Sequence, residues 1–516
     1  MKIRGILFAF TFLLFTNVFL HAQITGYCGL TDPQPLMERI REHQKTLAVS
    51  PVHARSSEIK YVPITFILVA DGNGNGRARE EQGLDQLKKL NADYAPQEIL
   101  FYIDEWRYKD HTLVFTDPTH PTSVFQMRLV KDLNAMNLYV TQDCETGAIV
   151  GQTLGFYSPP NDWVVMRKDR FNGNLTNAIL SHEAGHFFSL IHTFNGWDCT
   201  AYDEDVHGNP VNSIWSPCNG SLRVEFQNGS NCTIAGDLIC DTNPDYNFGY
   251  GWSVGGDPCA EYTPVVMDPN GDVIDVTENN FMGYFLGCDD YFFSPDQQSI
   301  IEVDYLSADR AYLRTGYVPV QDPVDNNVVY NYPINGEETA TFDKIDLDWE
   351  GVPGATDYLV VFDRSPSFTF APQRQIVQES FLTIEELTPD VNYYWRVWPF
   401  NESQTGAGWG ITQNFHTGLA SGIETISSVN RIDVFPNPVK TDDEINVLLE
   451  SERSFDAEIT LYDMTGEVVW YHSSQRVEAG RETYVSIVVD RVVAGLYFLK
   501  IQSSEGGIIS KKVSIL

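Results

Sequence analysis

The sequence has few basic residues, few cysteines and no long apolar run beyond its first 22 residues. Lysine and arginine together number 34 against 70 acidic residues, which gives a formal net charge of −36. Because nucleic acids and anionic membrane surfaces bind basic patches, this balance argues against both as partners. The missing second apolar run predicts a mature chain without a transmembrane segment. A chain of 516 residues is too long for one core, and we expect about three or four domains.

Residues 1–22 have the pattern of a secretory signal peptide. Lys2 and Arg4 form a basic head, an apolar run follows to residue 20, and Ala22 leaves a small residue at the expected cleavage point. The alternative is an N-terminal membrane anchor, for which the run is short. We therefore predict export, with residues 23–60 as a short lead-in segment.

Six of the eight cysteines lie between residues 199 and 288, in a stretch rich in glycine, asparagine and aspartate. They are Cys199, Cys218, Cys232, Cys240, Cys259 and Cys288. A loop-rich segment in an oxidising compartment gains stability from disulfides, so we predict three bridges, whose pairing the sequence leaves open. Cys28 and Cys144 remain, and a disulfide between them is one reading of that pair.

The first half of the chain alternates strand-like and helix-like patterns. Strands are predicted at residues 61–70, 99–106, 137–140 and 162–166, and helices at residues 35–47, around Leu84, Leu87 and Leu90, and at residues 175–190. Asn174 and Thr176 are candidate caps of the last helix. The order predicts an α/β domain in which a twisted, mixed sheet is backed by helices.

The last of these helices carries metal-ligand residue types. His182, Glu183, His186 and His192 spell HExxHxxxxxH. Residues four apart share a helix face, so His182 and His186 can offer two nitrogens to one zinc ion, with Glu183 beside the open position. His192 can supply a third nitrogen only if the helix stops and the chain turns back. The pattern predicts metal-assisted hydrolysis.

Three ordered segments carry a family resemblance: HEAGHFFSLIHTF, GSNCTIAGDLICDTNPD at residues 229–245, and NFMGY at residues 280–284. Together they resemble a pappalysin-type (cytophagalysin) metzincin metalloprotease over residues 28–312. The resemblance implies a catalytic domain over residues 61–317 with the active-site helix against its sheet.

The family's functional residues map onto this sequence one by one. The resemblance implies that zinc is bound by the three motif histidines and that Glu183 is the general base. It implies that Met282 packs beneath the histidines as a polarisable floor, and that the Tyr284 hydroxyl steadies the oxyanion of the intermediate. One departure concerns Ser189, where the family has glycine or asparagine, because the helix ends there in a turn that often needs positive φ.

The context Tyr27-Cys28-Gly29 resembles the latency cysteine of the family. A Cys28 thiolate could occupy the open zinc position until the lead-in is cut near Arg55 or Lys60. The other reading, the plain disulfide with Cys144, stays open here.

The family resemblance also implies calcium in the cysteine-rich region. Asp237, Asp241 and Asp245 are the candidate ligands, although acidic loop residues are often merely solvated. We further predict that a protein or peptide substrate binds extended along an edge strand at residues 155–165.

Two all-β sandwich domains are predicted beyond residue 317. A linker at residues 318–330 precedes residues 331–418, which resemble a fibronectin type III domain with Trp349 and the region of Tyr394 in its core. A second linker at residues 419–430 precedes residues 431–516. There VFPNPVK, LYDMTGEVVW and AGLYFLKI resemble the C-terminal sorting domain of type IX secretion cargo. That resemblance implies export through the periplasm and outer membrane of a Bacteroidetes-like bacterium.

Two functions from different classes fit these patterns. The first is a secreted zinc endopeptidase, and the second is an adhesin or carbohydrate-binding protein that uses the metalloprotease fold as a scaffold. A zinc site of another hydrolase class is a third option. Glu183 favours the first, because a scaffold has no use for a general base.

Overall fold

The computed structural model describes residues 27–30, 32–49, 58–144, 153–172, 178–325, 327–418, 426, 428–441, 443–488, 492–504 and 507–516. The predicted signal peptide, the cleavage point near Arg55 and the candidate caps Asn174 and Thr176 lie outside these residues. An α/β domain is followed by two domains built from paired β-sheets. The chain is therefore multidomain and rich in β-sheet.

A five-stranded sheet organises the first domain, in the order β2–β1–β3–β5–β4. Its strands are β1 (Lys60–Ala70), β2 (Ile99–Asp110), β3 (Met136–Thr141), β4 (Gly155–Ser158) and β5 (Trp163–Arg167). Strands β2, β1, β3 and β5 run parallel, and the edge strand β4 runs antiparallel to β5. The predicted mixed sheet is confirmed, and its fifth strand, β4, lies within the segment at residues 155–165 predicted as the substrate-binding edge.

Seven helices of this domain lie within the described part of the chain. They are α1 (Gln34–Val49), α2 (Glu80–Tyr94), α3 (Thr112–Thr116), α4 (Pro121–Arg128), α5 (Ile179–Phe187), α6 (Glu204–His207) and α7 (Pro295–Leu306). Leu84, Leu87 and Leu90 of α2 are fully buried, as their spacing predicts. Strand β1 is buried at residues 62–70, so its continuous apolar run reflects helices and loops on both faces of the sheet.

The lead-in segment packs as part of this domain. Leu36, Met37 and Ile40 of α1 are fully buried in the main core. Lys60 begins β1, is only 7% exposed, and lies 3.5 Å from Glu302. A protease needs an exposed, extended segment, so this position argues against the predicted cut at Lys60.

Residues 188–294 contain little regular structure, and three disulfides cross-link them. The bridges are Cys199–Cys218, Cys232–Cys240 and Cys259–Cys288. The predicted use of all six cysteines in three bridges is confirmed. Each bridge closes a loop, which restricts the unfolded chain where a helix or sheet does not hold the backbone.

The second domain pairs a five-stranded sheet, β10–β9–β12–β13–β7, with a three-stranded sheet, β11–β8–β6. Its strands are β6 (Tyr330–Tyr332), β7 (Glu337–Glu338), β8 (Lys344–Trp349), β9 (Asp357–Asp363), β10 (Gln373–Val377), β11 (Phe381–Glu385), β12 (Asn392–Phe400) and β13 (Gln413–His416). Trp349 is buried as predicted, and near Tyr394 the neighbours Tyr393 and Trp395 fill the core while Tyr394 is only half-buried.

The second domain docks on the first rather than trailing from it. Leu359, Trp398 and Phe400 belong to the same buried cluster as the core of the α/β domain. The Ile103 N–H donates to the Glu402 carbonyl at 2.7 Å. The predicted linker at residues 318–330 also packs, since Val324 is buried in the core of the second domain.

The third domain pairs the sheets β14–β15–β18 and β17–β16–β19–β20. Its strands are β14 (Val429–Phe435), β15 (Glu444–Ser451), β16 (Phe455–Tyr462), β17 (Val468–Val477), β18 (Glu482–Val488), β19 (Gly495–Ser503) and β20 (Ile508–Ile515). Alternate residues of facing strands, such as Val447, Ile459 and Ile501, form its core. None of the helices within the described residues is both long enough and apolar enough to span a bilayer.

Candidate metal centre

Three histidine side chains meet beside helix α5. His182 and His186 lie one turn apart on that helix, so their rings project from the same face. The Nε2 atom of His186 is 3.1 Å from Nε2 of His182 and 3.2 Å from Nε2 of His192. All three rings are buried. Within the described residues, the three histidines and Cys28 form the one group of metal-ligand side chains whose donor atoms all lie within 4.8 Å of one another.

The other ring nitrogen of each histidine is held by an oxygen acceptor. Nδ1 of His182 lies 2.7 Å from the Phe281 carbonyl, and Nδ1 of His186 lies 2.8 Å from the Leu190 carbonyl. Nδ1 of His192 lies 2.7 Å from a carboxylate oxygen of Asp198. Because these partners accept hydrogen bonds, each Nδ1 carries the proton and each Nε2 presents a lone pair to the shared centre.

This donor set fits zinc on chemical grounds. Burial lowers the pKa of His182 to about 3 and that of His186 well below its usual value, so both rings are neutral at physiological pH. Three imidazole rings whose Nε2 atoms face one buried point leave lone pairs there that a bound cation would satisfy. Nitrogen and sulfur donors are those that zinc prefers, with a fourth position available to a thiolate or water.

The turn after α5 delivers His192 to this point. Helix α5 ends at Phe187, and Ser189 adopts φ 72°, the left-handed region that side chains other than glycine enter rarely. The Leu190 N–H donates back to the Gly185 carbonyl at 2.9 Å. The chain therefore reverses at Ser189, with serine in a backbone conformation that favours glycine.

Met282 packs against helix α5 at Gly185 and is fully buried. A Cβ atom at Gly185, in the middle of α5, would lie 2.5 Å from the Met282 sulfur. Glycine is therefore needed at that position for the methionine to pack directly against the helix. The Met282 carbonyl accepts the Thr193 N–H at 3.2 Å, which ties this segment to the turn that carries His192.

Glu183 and Tyr284 border the histidine cluster from two sides. Glu183 is 1% exposed, and burial raises its pKa to about 8 although bonds from Cys28 and the Tyr157 backbone oppose that rise. The Tyr284 ring centroid is 5.1 Å from that of His192, and burial raises the pKa of its hydroxyl well above the usual value. The hydroxyl therefore stays protonated and can donate a hydrogen bond.

Cys28 contacts both Glu183 and Tyr284. Its thiol donates to a Glu183 carboxylate oxygen at 3.5 Å, and its backbone N–H donates to the Tyr284 hydroxyl at 2.9 Å. The lead-in runs parallel to the edge strand β4 here: the Gly29 N–H donates to the Gly155 carbonyl at 2.9 Å. Cys28 and Cys144 are both unbridged and buried, in different clusters of the core.

A cavity of about 300 Å³ opens beside the histidines. Its walls include Ile179, His182, Glu183, Phe281, Tyr284 and Tyr291. Strand β4, within the segment predicted to bind an extended substrate, is an edge of the sheet and adjoins α5. The lead-in currently pairs with that edge.

The three aspartates predicted to bind calcium have different partners. Asp241 accepts from the Ser294 hydroxyl at 2.6 Å and the Asp296 N–H at 2.8 Å, at the start of α7. Asp245 accepts from the Thr193 hydroxyl at 3.0 Å and the Phe248 N–H at 3.0 Å. Asp237 accepts from the Ile239 N–H and the Thr242 hydroxyl, both at 2.9 Å.

Asp237 has a carboxylate neighbour that sequence reasoning missed. Glu225 lies against Gly236, so closely that a Cβ atom there would collide with its carboxylate. Both groups are buried, and Glu225 Oε2 and Asp237 Oδ2 have no hydrogen-bond partner among the described residues. Burial raises the pKa of Asp237 to about 8, and burial together with the Asp237 charge raises that of Glu225 well above its usual value. Two buried, partnerless carboxylate oxygens are suited to a hard cation.

Asp198 is the other site residue that the sequence pattern did not single out. It lies six residues after His192 and three after Asn195, in an irregular turn, so no periodicity predicts its contact. The one available signal was its closeness in sequence to a candidate ligand, since metal-bound histidines usually donate to a carboxylate or carbonyl.

Comparison with known families matches residues 433–516 to a secretion system C-terminal sorting domain. This confirms the resemblance predicted for the last block. It indicates a chain that is secreted or held at the cell surface, with the type IX secretion machinery as a partner.

Three fungal relatives each match part of the chain, and each is named an extracellular metalloprotease. The protein of Colletotrichum graminicola is 26% identical over 223 residues, 38% of this chain and 74% of its own length. That of Neurospora crassa is 26% identical over 208 residues, 36% and 69% of the two chains. That of Sordaria macrospora is 31% identical over 145 residues, 25% and 47% of the two chains.

Solved structures with some likeness include three fibronectin domains of chicken contactin 1, at 15% identity and a TM-score of 0.18 over 37% of this chain and 69% of that one. Dimeric latent PorU from Porphyromonas gingivalis gives 12% identity and a TM-score of 0.16 over 39% and 20%. The fn3 domain of human contactin 1 gives 20% identity and a TM-score of 0.16 over 21% and 89%. Likenesses this weak support no conclusion about this chain.

Proposed function

We propose that the chain is a secreted, zinc-dependent endopeptidase of the pappalysin-type metzincin kind. The observation that carries the proposal is that three buried histidine Nε2 atoms converge on one point. Glu183 lies on the same helix as two of these histidines, His182 and His186. The fungal metalloproteases that match over a third of the chain support it independently. The sorting domain supplies the route of export.

His182, His186 and His192 would hold the zinc ion. The ion supplies a Lewis acid that activates water for attack on a carbonyl at neutral pH. Glu183 would take the proton of the attacking water and deliver it to the leaving amine, because its carboxyl group is buried beside the histidines on helix α5. The protonated Tyr284 hydroxyl donates toward the oxygen that becomes negative in the transition state.

We further propose that the lead-in keeps the enzyme latent through Cys28. The thiol sits among the three histidines, against Glu183, while the Cys28 backbone occupies Tyr284. The same segment pairs with β4, the edge that an extended substrate would use. Activation requires that this segment leave, by cleavage outside the buried start of β1.

We also propose a calcium site in the cysteine-rich region, with ligands that differ from the three aspartates predicted from the sequence. Asp237 stays as a ligand and Glu225 joins it, because both present buried oxygens without a protein partner among the described residues. Asp241 and Asp245 are engaged with α7 and with Thr193, so their part is structural. A calcium ion there would stabilise the loop that surrounds the active site.

The test is a Glu183→Ala exchange in a Cys28→Ala background, which removes the thiol from the site. Casein cleavage should fall about 10²–10⁴-fold, the usual contribution of a general base, while zinc content stays unchanged. Glu204→Ala, at an exposed carboxylate of the same domain, is the matched control and should keep full activity. Full activity of the Glu183→Ala protein would refute the mechanism. Zinc binding without any proteolysis by the control would favour the adhesin instead.

A further inference from the structure

Ser189 stands at a conformationally demanding position without being glycine. Its φ of 72° is the left-handed value, and it is fully buried. The next residue supplies the carbonyl that fixes His186, since Leu190 O lies 2.8 Å from Nδ1 of that ring. His192 follows two residues later. The conformation of this one turn therefore sets the orientation of two of the three histidines.

Two bonds from distant residues secure the turn. The Ser189 hydroxyl donates to Asp304 Oδ1 on α7 at 2.6 Å. The Arg310 guanidinium donates to the Phe187 carbonyl at the end of α5, and it lies 3.9 Å above the Phe187 ring. Arg310 also donates to Asp304 Oδ2 at 2.9 Å. Both bonds thus belong to one connected group.

This group is sealed from water and anchored on its far side. Asp304 and Arg310 are each 1% exposed. Arg310 donates to Asp162 Oδ1 at 2.6 Å, between strands β4 and β5, and Asp304 also bonds His43 of α1 at 2.9 Å. The bonds that Asp304 makes with Arg310 and Ser189 therefore lie in a medium of low polarity, where hydrogen bonds to ions are strong and directional.

We propose that Asp304 and Arg310 are positioning residues that hold the Ser189 turn in the shape that brings His186 and His192 to the metal. The Ser189 hydroxyl gives the turn an anchor that glycine would lack, and this anchor balances the unfavourable backbone angle of serine. The inference rests on the proposed zinc site and extends it to residues more than 100 positions away in sequence.

The test compares two substitutions at one position. Ser189→Ala keeps a side chain in the left-handed conformation but removes the anchor, whereas Ser189→Gly removes the anchor and the strain together. We expect zinc affinity, measured by competition with a chelator in the full-length chain, to fall about 10–100-fold in Ser189→Ala and to stay near wild type in Ser189→Gly. Asp304→Asn should weaken zinc binding as Ser189→Ala does. Because both substitutions break the same bond, the double variant should bind zinc no more weakly than whichever single variant binds it less tightly.

Cobalt substitution supplies a readout that lost stability alone would not move. The visible absorption of bound Co²⁺ should change in Ser189→Ala, because a displaced His192 alters the coordination, and it should return to the wild-type spectrum in Ser189→Gly. Ser299→Ala is the control and should match wild type, because Ser299 is a half-buried serine on α7 whose hydroxyl bonds only within that helix, to the Pro295 carbonyl. Wild-type zinc affinity and cobalt spectrum in both Ser189→Ala and Asp304→Asn would overturn the proposal. Casein cleavage by the wild-type chain, assayed in parallel after activation, reports separately on the proposed function.

Discussion

Helix α5 and the loop at residues 237–245 both carry potential metal ligands at a spacing of four residues. On the helix, a rise of about 5.4 Å per turn places His182 and His186 on one face, and their Nε2 atoms lie 3.1 Å apart. In the loop, Asp237, Asp241 and Asp245 turn to three different sets of partners. Equal spacing therefore produces a shared site only where regular backbone geometry converts it into proximity.

The two regions also differ in what completes them. The histidine cluster gains Cys28 from the lead-in and Asp198 from a nearby turn, and both contact groups already aimed at the centre. Asp237 gains Glu225, which is brought alongside by an isolated bridge between Arg223 and Ala235. This carboxylate pair is buried in irregular chain and includes none of the residues proposed to act on the substrate. We therefore expect a metal bound there to affect stability rather than catalysis.

The largest effect should come from removing the thiol of the histidine cluster. We expect Cys28→Ala to cleave casein without prior activation. Its cleavage rate should be about 100-fold above that of the intact wild-type chain. This factor corresponds to a wild-type site that is open in only about 1% of molecules. Cys144→Ala is the matched control, because Cys144 is a second buried free thiol that does not belong to the cluster of metal-ligand side chains, and this variant should remain latent. A latent Cys28→Ala protein that binds zinc normally would remove the cysteine from the account.

The next effect concerns the carboxylate behind His192. Asp198→Ala removes the acceptor of the Nδ1 proton, so the ring loses its fixed orientation. Zinc affinity should fall about 10–100-fold, as chelator competition can measure. Asp205→Ala, at an exposed acidic residue of the nearby helix α6, should leave the affinity unchanged. Equal affinity of the two variants would show that the histidine cluster does not depend on its outer partners.

A smaller effect is expected at the carboxylate pair. Saturating calcium should raise the melting temperature of the wild-type chain by roughly 5–10 °C, as expected for a ligand at about 100 times its Kd. Glu225→Gln should abolish this rise, because it removes one of two ligand carboxylates. Asp241→Asn should lower the melting temperature through the start of α7 yet keep the calcium response. If Asp241→Asn lost the response instead, the loop would be the shared site that its spacing suggested.

The smallest expected effect is a pH dependence of stability that arises at the buried carboxylate pair and not at the histidine cluster. The pKa of Asp237 is raised from 3.8 to about 8 by burial, so its neutral form stabilises the calcium-free fold at low pH. That contribution is complete below about pH 4 and is lost as pH rises toward 8. Chelator-treated protein should therefore melt at a lower temperature at pH 8 than at pH 5, and Asp237→Asn should reduce this difference. If Asp237→Asn left the difference in melting temperature unchanged, the pH dependence would have to come from other titratable groups.

Much of the fold follows from local pattern. Strand β1 has a long continuous apolar run, and the structure has it within one residue of the predicted bounds. Helix α2 is found around Leu84, Leu87 and Leu90, whose spacing predicts it. Strand β4 has four residues and helix α7 lacks a regular apolar stripe, so neither is distinct in the sequence. Their identity depends on packing against α5 and α1, which local pattern does not contain.

The residues of the candidate metal centre also differ in whether local pattern could predict them. His182, Glu183 and His186 could be predicted because a helix fixes their relation. Glu225 and Asp304 could not, because their partners lie 12 and 115 residues away and are reached through irregular chain. Ser189 is instructive, since the sequence raised the question of its turn and a buried aspartate on another helix provides the answer.

X-ray absorption at the zinc edge of the purified, full-length chain tests the central claim most directly. The account predicts bound zinc with three nitrogen ligands and one sulfur ligand, and replacement of the sulfur by oxygen in Cys28→Ala with the three nitrogens unchanged. A chain that binds no zinc, or a zinc ion surrounded mainly by oxygen ligands, would contradict it.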